Sequence, residues 1–212
     1  MQFRLTYEGP LFSSRTDKRD DLRSRADHKQ DIRKVFHKQL KQLWTETPHL
    51  GRVAEDGHWK PLPDAFFSNP RPKNWSWSKE LAERYSCGQY HLVPLVNGIF
   101  TLGCGLDILL LRPGRAGQVL ASGDIDNRVK TLIDALRIPG PDVKELGSHT
   151  PQDGEDPFYC LLENDSMVDR LSVEADTLLQ PIGTKRDAND ARVVVTVTVR
   201  PAEVMFLNLA FA

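Results

Sequence analysis

The sequence predicts an α+β fold: a mixed or antiparallel sheet with flanking helices. Three observations carry this. Residues 2–7 and 191–200 alternate apolar with polar side chains, as half-buried strands do. Two segments, 27–46 and one starting near residue 126, instead space their apolar residues at helical intervals. The strands and helices do not alternate as βαβ units would. The 212 residues are read as a single domain, 1–212, with irregular insertions near 47–88 and 137–157.

Composition narrows the class. Apolar content of 40% and charged content of 27% are those of an ordinary soluble globular protein. No apolar run reaches the length of a membrane-spanning helix, and the first residues lack the order of a signal peptide. Cys87, Cys104 and Cys160 are too widely spaced for a disulfide framework or a zinc pattern, so a cytoplasmic location is expected. The net charge of −1 does not suggest a nucleic-acid binder, but its distribution is uneven. Between Arg15 and Lys41 stand 10 basic residues (Arg15, Lys18, Arg19, Arg23, Arg25, Lys29, Arg33, Lys34, Lys38, Lys41) against 5 acids (Asp17, Asp20, Asp21, Asp27, Asp31). The compensating acids crowd into 142–169.

Taken in order, Phe3, Leu5 and Tyr7 share one face of a first strand. A charged loop leads to a helix ending near Glu46, before Pro48. Ile32, Val35, Phe36, Leu40, Leu43 and Trp44 form its apolar stripe. Lys29, Arg33, Lys34, Lys38 and Lys41 line its other face, which is either solvated or in contact with phosphates. The segment 47–88 is punctuated by prolines and holds Phe66, Phe67, Trp75 and Trp77. These aromatics either tie the loop to the core or stack on unpaired bases. Residues 90–111 read as two strands of a hairpin around Asn97–Gly98. Gly103-Cys104-Gly105 marks a strand irregularity. Beyond the acidic segment 137–157, strands are expected at 158–162, 168–178 and 191–200. In the last, Val193, Val195, Val197 and Val199 share a face.

The chemistry centres on Gly123-Asp124-Ile125-Asp126-Asn127-Arg128-Val129-Lys130, continuing to Asp134-Ala135-Leu136. Val129, Leu132, Ile133 and Leu136 form one helical face. Asp126 and Asn127 suit the N-cap, which leaves Asp124 in extended chain on the same side as Asp126. Ordinary capping and the i, i+4 pairs Asp126–Lys130–Asp134 account for part of this pattern. Asp124 is not needed for a cap, and two adjacent carboxylates repel. A divalent cation between them relieves the repulsion, and Mg²⁺ takes one or two carboxylates and keeps several waters.

Asp-x-Asp-Asn-x-x-Lys-x-x-x-Asp-Ala-Leu, followed by Asn164-Asp165-Ser166-Met167-Val168, resembles the RusA-type Holliday junction resolvases from about Leu106 to Asp176. The N-terminal half matches only in outline, as a strand followed by a basic helix. The resemblance implies a homodimeric endonuclease dependent on Mg²⁺, or on Mn²⁺ in its place, cutting branched DNA. Asp124, Asp126 and Asp165 would be its metal and catalytic acids, and Lys130 a catalytic lysine. The link from helix to third acid is about twenty residues longer than in the family, a length that is often functional. Glu163, Asp156 and Asp169 are neighbouring substitutes for Asp165. Rival expectations are a branched-DNA-binding protein with little cleavage and a nuclease effector of defence or toxin type. The six histidines have no metal-ligand spacing, and Gly-x-Ser-x-Gly, Walker A and dinucleotide motifs are absent.

Overall fold

A valine-rich strand near the end of the chain forms the middle of the larger sheet. The computed structural model describes residues 1–13, 22–47, 50, 76–114, 125–184 and 187–211, without the side chains of 22–24 and Phe206. Strand β7 (Asp190–Pro201) lies between β1 (Gln2–Pro10) and β4 (Leu102–Arg112), antiparallel to both. Strand β6 (Val168–Thr177) runs parallel to β4, so the order is β1-β7-β4-β6. Val193, Val195, Val197 and Val199 are at most 1% exposed. They meet Leu5, Leu106, Ile108 and Leu110, which are also buried. Each such side chain stabilises the fold by about 1.5–3 kcal/mol relative to exposure.

A second, smaller sheet has the order β2 (Ser86–Cys87), β3 (Tyr90–Val96), β5 (Phe158–Leu162). β2 and β3 are antiparallel, and β3 and β5 are parallel. Both sheets mix strand directions, as expected for an α+β domain. Leu95, Val96, Leu161 and Leu162 from the small sheet join the core of the large one.

The hairpin expected around Asn97–Gly98 does not form, because β3 and β4 belong to different sheets. The turn is longer than the two residues a tight hairpin uses. The buried Asn97 amide donates to the carbonyls of Pro94 and Leu95 (3.0 and 3.2 Å), and its Oδ1 accepts the Phe100 N–H (2.9 Å). Thr101, at φ 49, completes the turn. These bonds satisfy the chain locally and release β4 toward β7. The irregularity read at Gly103-Cys104-Gly105 is a bulge, a register shift between Cys104 and Gly105. A Cβ on Gly103 would stand 3.0 Å from Asp169 Oδ2, and one on Gly105 3.0 Å from Arg170 Nε. The two glycines let these side chains cross the sheet face.

Helix α1 (Leu22–Glu46) starts earlier than the sequence suggests and is buried along two faces. Ile32, Phe36, Leu40 and Trp44 enter the core as expected, but Val35 is 37% exposed. Ala26, Gln30, Arg33 and His37 are buried on the second face. A short helix α2 (Trp77–Arg84), inside the segment expected to be irregular, begins at Ser76, whose side chain accepts the Lys79 N–H. Trp77 packs edge-on against Phe100, ring centroids 4.7 Å apart, so this aromatic ties its segment to the core. Phe66, Phe67 and Trp75 lie outside the described residues. Helix α3 (Ile125–Leu136) buries Val129, Leu132, Ala135 and Leu136. Among the described residues no helix is long and apolar enough to cross a membrane.

One buried imidazole, His37, and one half-buried imidazole, His28, make stability depend on pH. His37 Nδ1 accepts the Tyr159 N–H (2.8 Å), its Nε2 faces the Gly154 carbonyl (3.3 Å), and its ring stacks on Phe158. His28 Nε2 accepts the Phe12 N–H (3.3 Å). Burial pushes both pKa values down. The unfolded chain, titrating near about 6.5, takes up protons first as pH falls. Stability is therefore expected to drop as pH falls below about 6.5, and to be insensitive to these groups above about 7.5. Melting temperatures across that range check this, and replacing His28 and His37 with Gln should flatten the slope.

Candidate functional site

Helix α3 presents two different faces at its first turn. The buried residues point Arg128 inward, where its Nη2 donates to Asn189 Oδ1 (3.1 Å) just before β7. Arg112, the last residue of β4, donates to the neighbouring Ala188 carbonyl (3.1 Å). The start of α3 is thus fastened at the end of the large sheet where β4 finishes and β7 begins. On the opposite face, Asp126 and Lys130 are both exposed. At i, i+4 they are neighbours on the helix surface.

The helix begins at Ile125, so Asp126 lies inside the first turn and is not its cap. There its carboxylate sits at the positive end of the helix dipole, beside N–H groups without helical partners. Asp124 lies outside the described residues. The series of ion pairs expected along Asp126–Lys130–Asp134 is absent. Asp134 pairs instead with Lys29 (3.5 Å) and Arg137 (3.7 Å). Among the described residues neither Asp126 nor Lys130 has an ion-pair partner.

Asp165 opens a one-turn 3-10 helix, Asp165–Met167, capped by Asn164 through the Ser166 N–H (3.0 Å). It is exposed. The alternatives named beside it are engaged. Glu163 accepts the Gly98 N–H (2.8 Å), Asp156 meets His91 Nδ1 (3.0 Å), and Asp169 pairs with Arg200 (3.0 Å). Of these four acids Asp165 alone has no ion pair or side-chain hydrogen bond among the described residues.

One chain does not bring Asp165 to Asp126. The far end of α3 meets the end of β5, where Ile138 N–H donates to the Leu162 carbonyl (2.8 Å). Asp165 follows three residues later. From Asp126 to Arg137 a helix rises about 16 Å. The sheet separates them in the same sense, since β6 begins opposite Cys104 and ends opposite Arg112. Asp165 therefore stands where β4 starts, and Asp126 where it ends. No group of three or more His, Cys, Asp or Glu side chains placed to hold a metal occurs among the described residues, which do not include Asp124.

The basic face of α1 is largely consumed inside the molecule. Arg33 is 1% exposed, and its guanidinium donates to the carbonyls of Arg137 (3.1 Å) and Asp134 (2.9 Å) at the negative end of α3, and to Gln30 Oε1 (2.6 Å). Lys34 pairs with Glu155 (3.3 Å), and Lys41 donates to the Gly154 carbonyl (2.7 Å). Lys38 is exposed. The acidic segment 137–157 thus meets this face where phosphates were one expectation. Arg192 and Arg200 on β7 are paired as well, with Glu8 (2.9 Å) and Asp169. The hydrogen bond from Arg192 holds the Glu8 carboxyl below its ordinary range.

Comparison of the chain with protein-family models, with curated proteins and with solved structures finds no match in any of the three.

Proposed function

We propose that the chain is a Mg²⁺-dependent, structure-selective endonuclease of RusA type that hydrolyses phosphodiesters in Holliday or other branched junctions. The observation that carries this reading is the exposed pair Asp126 and Lys130 at the positive end of α3, neither neutralised by a neighbour among the described residues. A helix start favours an anion such as a phosphate. Lys130 would hold that phosphate or orient the attacking water. Asp126, with Asp124 before it and Asp165, supplies the hard oxygen ligands that Mg²⁺ selects. When bound, the ion would lower the pKa of a water and offset charge on the phosphate. Within one chain Asp126 and Asp165 lie toward opposite ends of the large sheet, so a site using both would take them from two copies. This agrees with the homodimer that a two-fold symmetric junction calls for.

The separation of Asp126 from Asp165 also supports a second reading, a branched-DNA-binding protein with little cleavage. Incubation of the purified protein and Mg²⁺ with a labelled four-way junction, a matched duplex and single-stranded RNA tests both. Junction-selective nicking supports the first reading. Junction binding without nicking supports the second. Cleavage of RNA alone would point to an effector nuclease instead.

A further inference from the structure

The two edges of the large sheet are finished differently. At the β1 edge, Gln39 on α1 acts as a substitute strand: its Oε1 accepts the Thr6 N–H (2.9 Å) and its Nε2 donates to the Thr6 carbonyl (2.7 Å). The β6 edge has no such cover among the described residues. β6 is ten residues long, and Asp169 through Glu174 are all exposed. It contains no proline. An uncovered strand edge is a template for pairing with another strand.

The face beside that edge is apolar where the sheet is meant to be covered. Leu171 lies opposite Leu106 and Val173 opposite Ile108. Leu106 and Ile108 are buried, whereas Leu171 is 47% and Val173 37% exposed. The core side of the sheet therefore runs on over β6 with apolar side chains left in water.

We propose that the free edge of β6 pairs antiparallel with the same edge of a second copy, about a two-fold axis at Ser172. With that axis, Leu171 faces the partner's Val173, and Arg170, whose guanidinium also pairs with Asp107 (2.7 Å), faces the partner's Glu174; each pairing occurs twice. Directly opposed pairs of these kinds stabilise a sheet. Shifting the axis to Leu171 would set Asp169 against the partner's Val173. Shifting it to Val173 would pair Arg170 with the partner's Asp176 but set Leu171 against the small Ala175 and Val173 against itself. Of the three, only the axis at Ser172 sets the two exposed large apolar side chains of the strand, Leu171 and Val173, against each other, and it does so twice. The result is an eight-stranded sheet across two copies with a continuous apolar strip on its inner face. This gives an interface to the homodimer of the reading above and rests on that part of it. It involves no metal and no DNA, so its failure is distinguishable from failure of the nuclease chemistry.

Light scattering on the full chain, without DNA or Mg²⁺, should give the mass of two copies, and Leu171→Lys with Val173→Lys should give one. Both side chains are exposed, so circular dichroism and the melting transition should show these variants folded. In the wild-type background, Ser172→Cys should cross-link to itself under mild oxidant, because residues opposed across such a pair have Cα atoms about 4.5–5.5 Å apart, within disulfide reach. Cys87, Cys104 and Cys160 are buried and should not react in the folded protein. A wild-type mass of one copy would overturn the proposal. So would a dimer that ignores both lysines, or one in which Glu174→Cys cross-links and Ser172→Cys does not.

Discussion

Asp126→Asn is expected to lower Mg²⁺-dependent junction cleavage by on the order of 10²–10³-fold, the scale seen when one preorganised electrostatic group is lost from an active site. The protein should stay folded. Asp126 is exposed in the first turn of α3, and its charge there stabilises the helix by about 0.3–1 kcal/mol. The melting temperature without metal should therefore fall by no more than about 4 °C. Junction affinity should hold or rise, because a negative charge near the phosphates is removed. Mg²⁺ should raise the melting temperature of the wild type more than that of the variant, since a ligand bound only by the folded state stabilises it. If Asp126 serves only the helix, cleavage is unchanged and the response to Mg²⁺ is the same in both proteins. Wild-type rates from Asp126→Asn would remove this residue from the metal site. Asp124→Asn offers an independent probe of the same pair.

Arg33→Met is expected to be the most damaging single change to stability among the residues discussed, costing about 3 kcal/mol. The loss strands the carbonyls of Asp134 and Arg137 and the Gln30 side chain, all of which accept from the guanidinium. Each unsatisfied buried group costs about 1–3 kcal/mol, partly offset because a buried charge is also removed. At this chain length the melting temperature should drop by about 6–12 °C. Lys38→Met on the same helix is the control, with an expected change within about 0.5 kcal/mol. Were Arg33 a phosphate contact on a solvated face, its replacement would weaken nucleic-acid binding and leave melting nearly unchanged. Denaturant midpoints for the two variants separate these outcomes.

Local pattern was enough for much of the architecture. The alternation at 2–7 and 191–200, the runs at 158–162 and 168–178 and the helical face of Val129, Leu132 and Leu136 each appear as the expected element. So does the irregularity at Gly103-Cys104-Gly105. These are features whose cause lies within a few residues: side-chain period, a turn, a missing Cβ. Helix α2 was hidden among prolines, although Ser76 is the kind of residue that caps a helix.

Tertiary structure decided what the period could not. A polar helix face reads the same whether water, phosphate or buried carbonyls satisfy it, so the pattern leaves Arg33 open to water or phosphate while the fold leaves it 1% exposed. An Asn-Gly turn specifies a reversal but not which sheet receives the next strand. That choice went to the bonds of Asn97 and to the valines of β7. The candidate site divides in the same way. Asp126 and Lys130 are one helical turn apart, and their shared face follows from sequence. Asp165 is placed by β5 and β6, which carry it to the far end of the sheet from Asp126. Spacing along a chain fixes neighbours within a turn, but the distance between segments is set only when packed strands and helices give each one a direction.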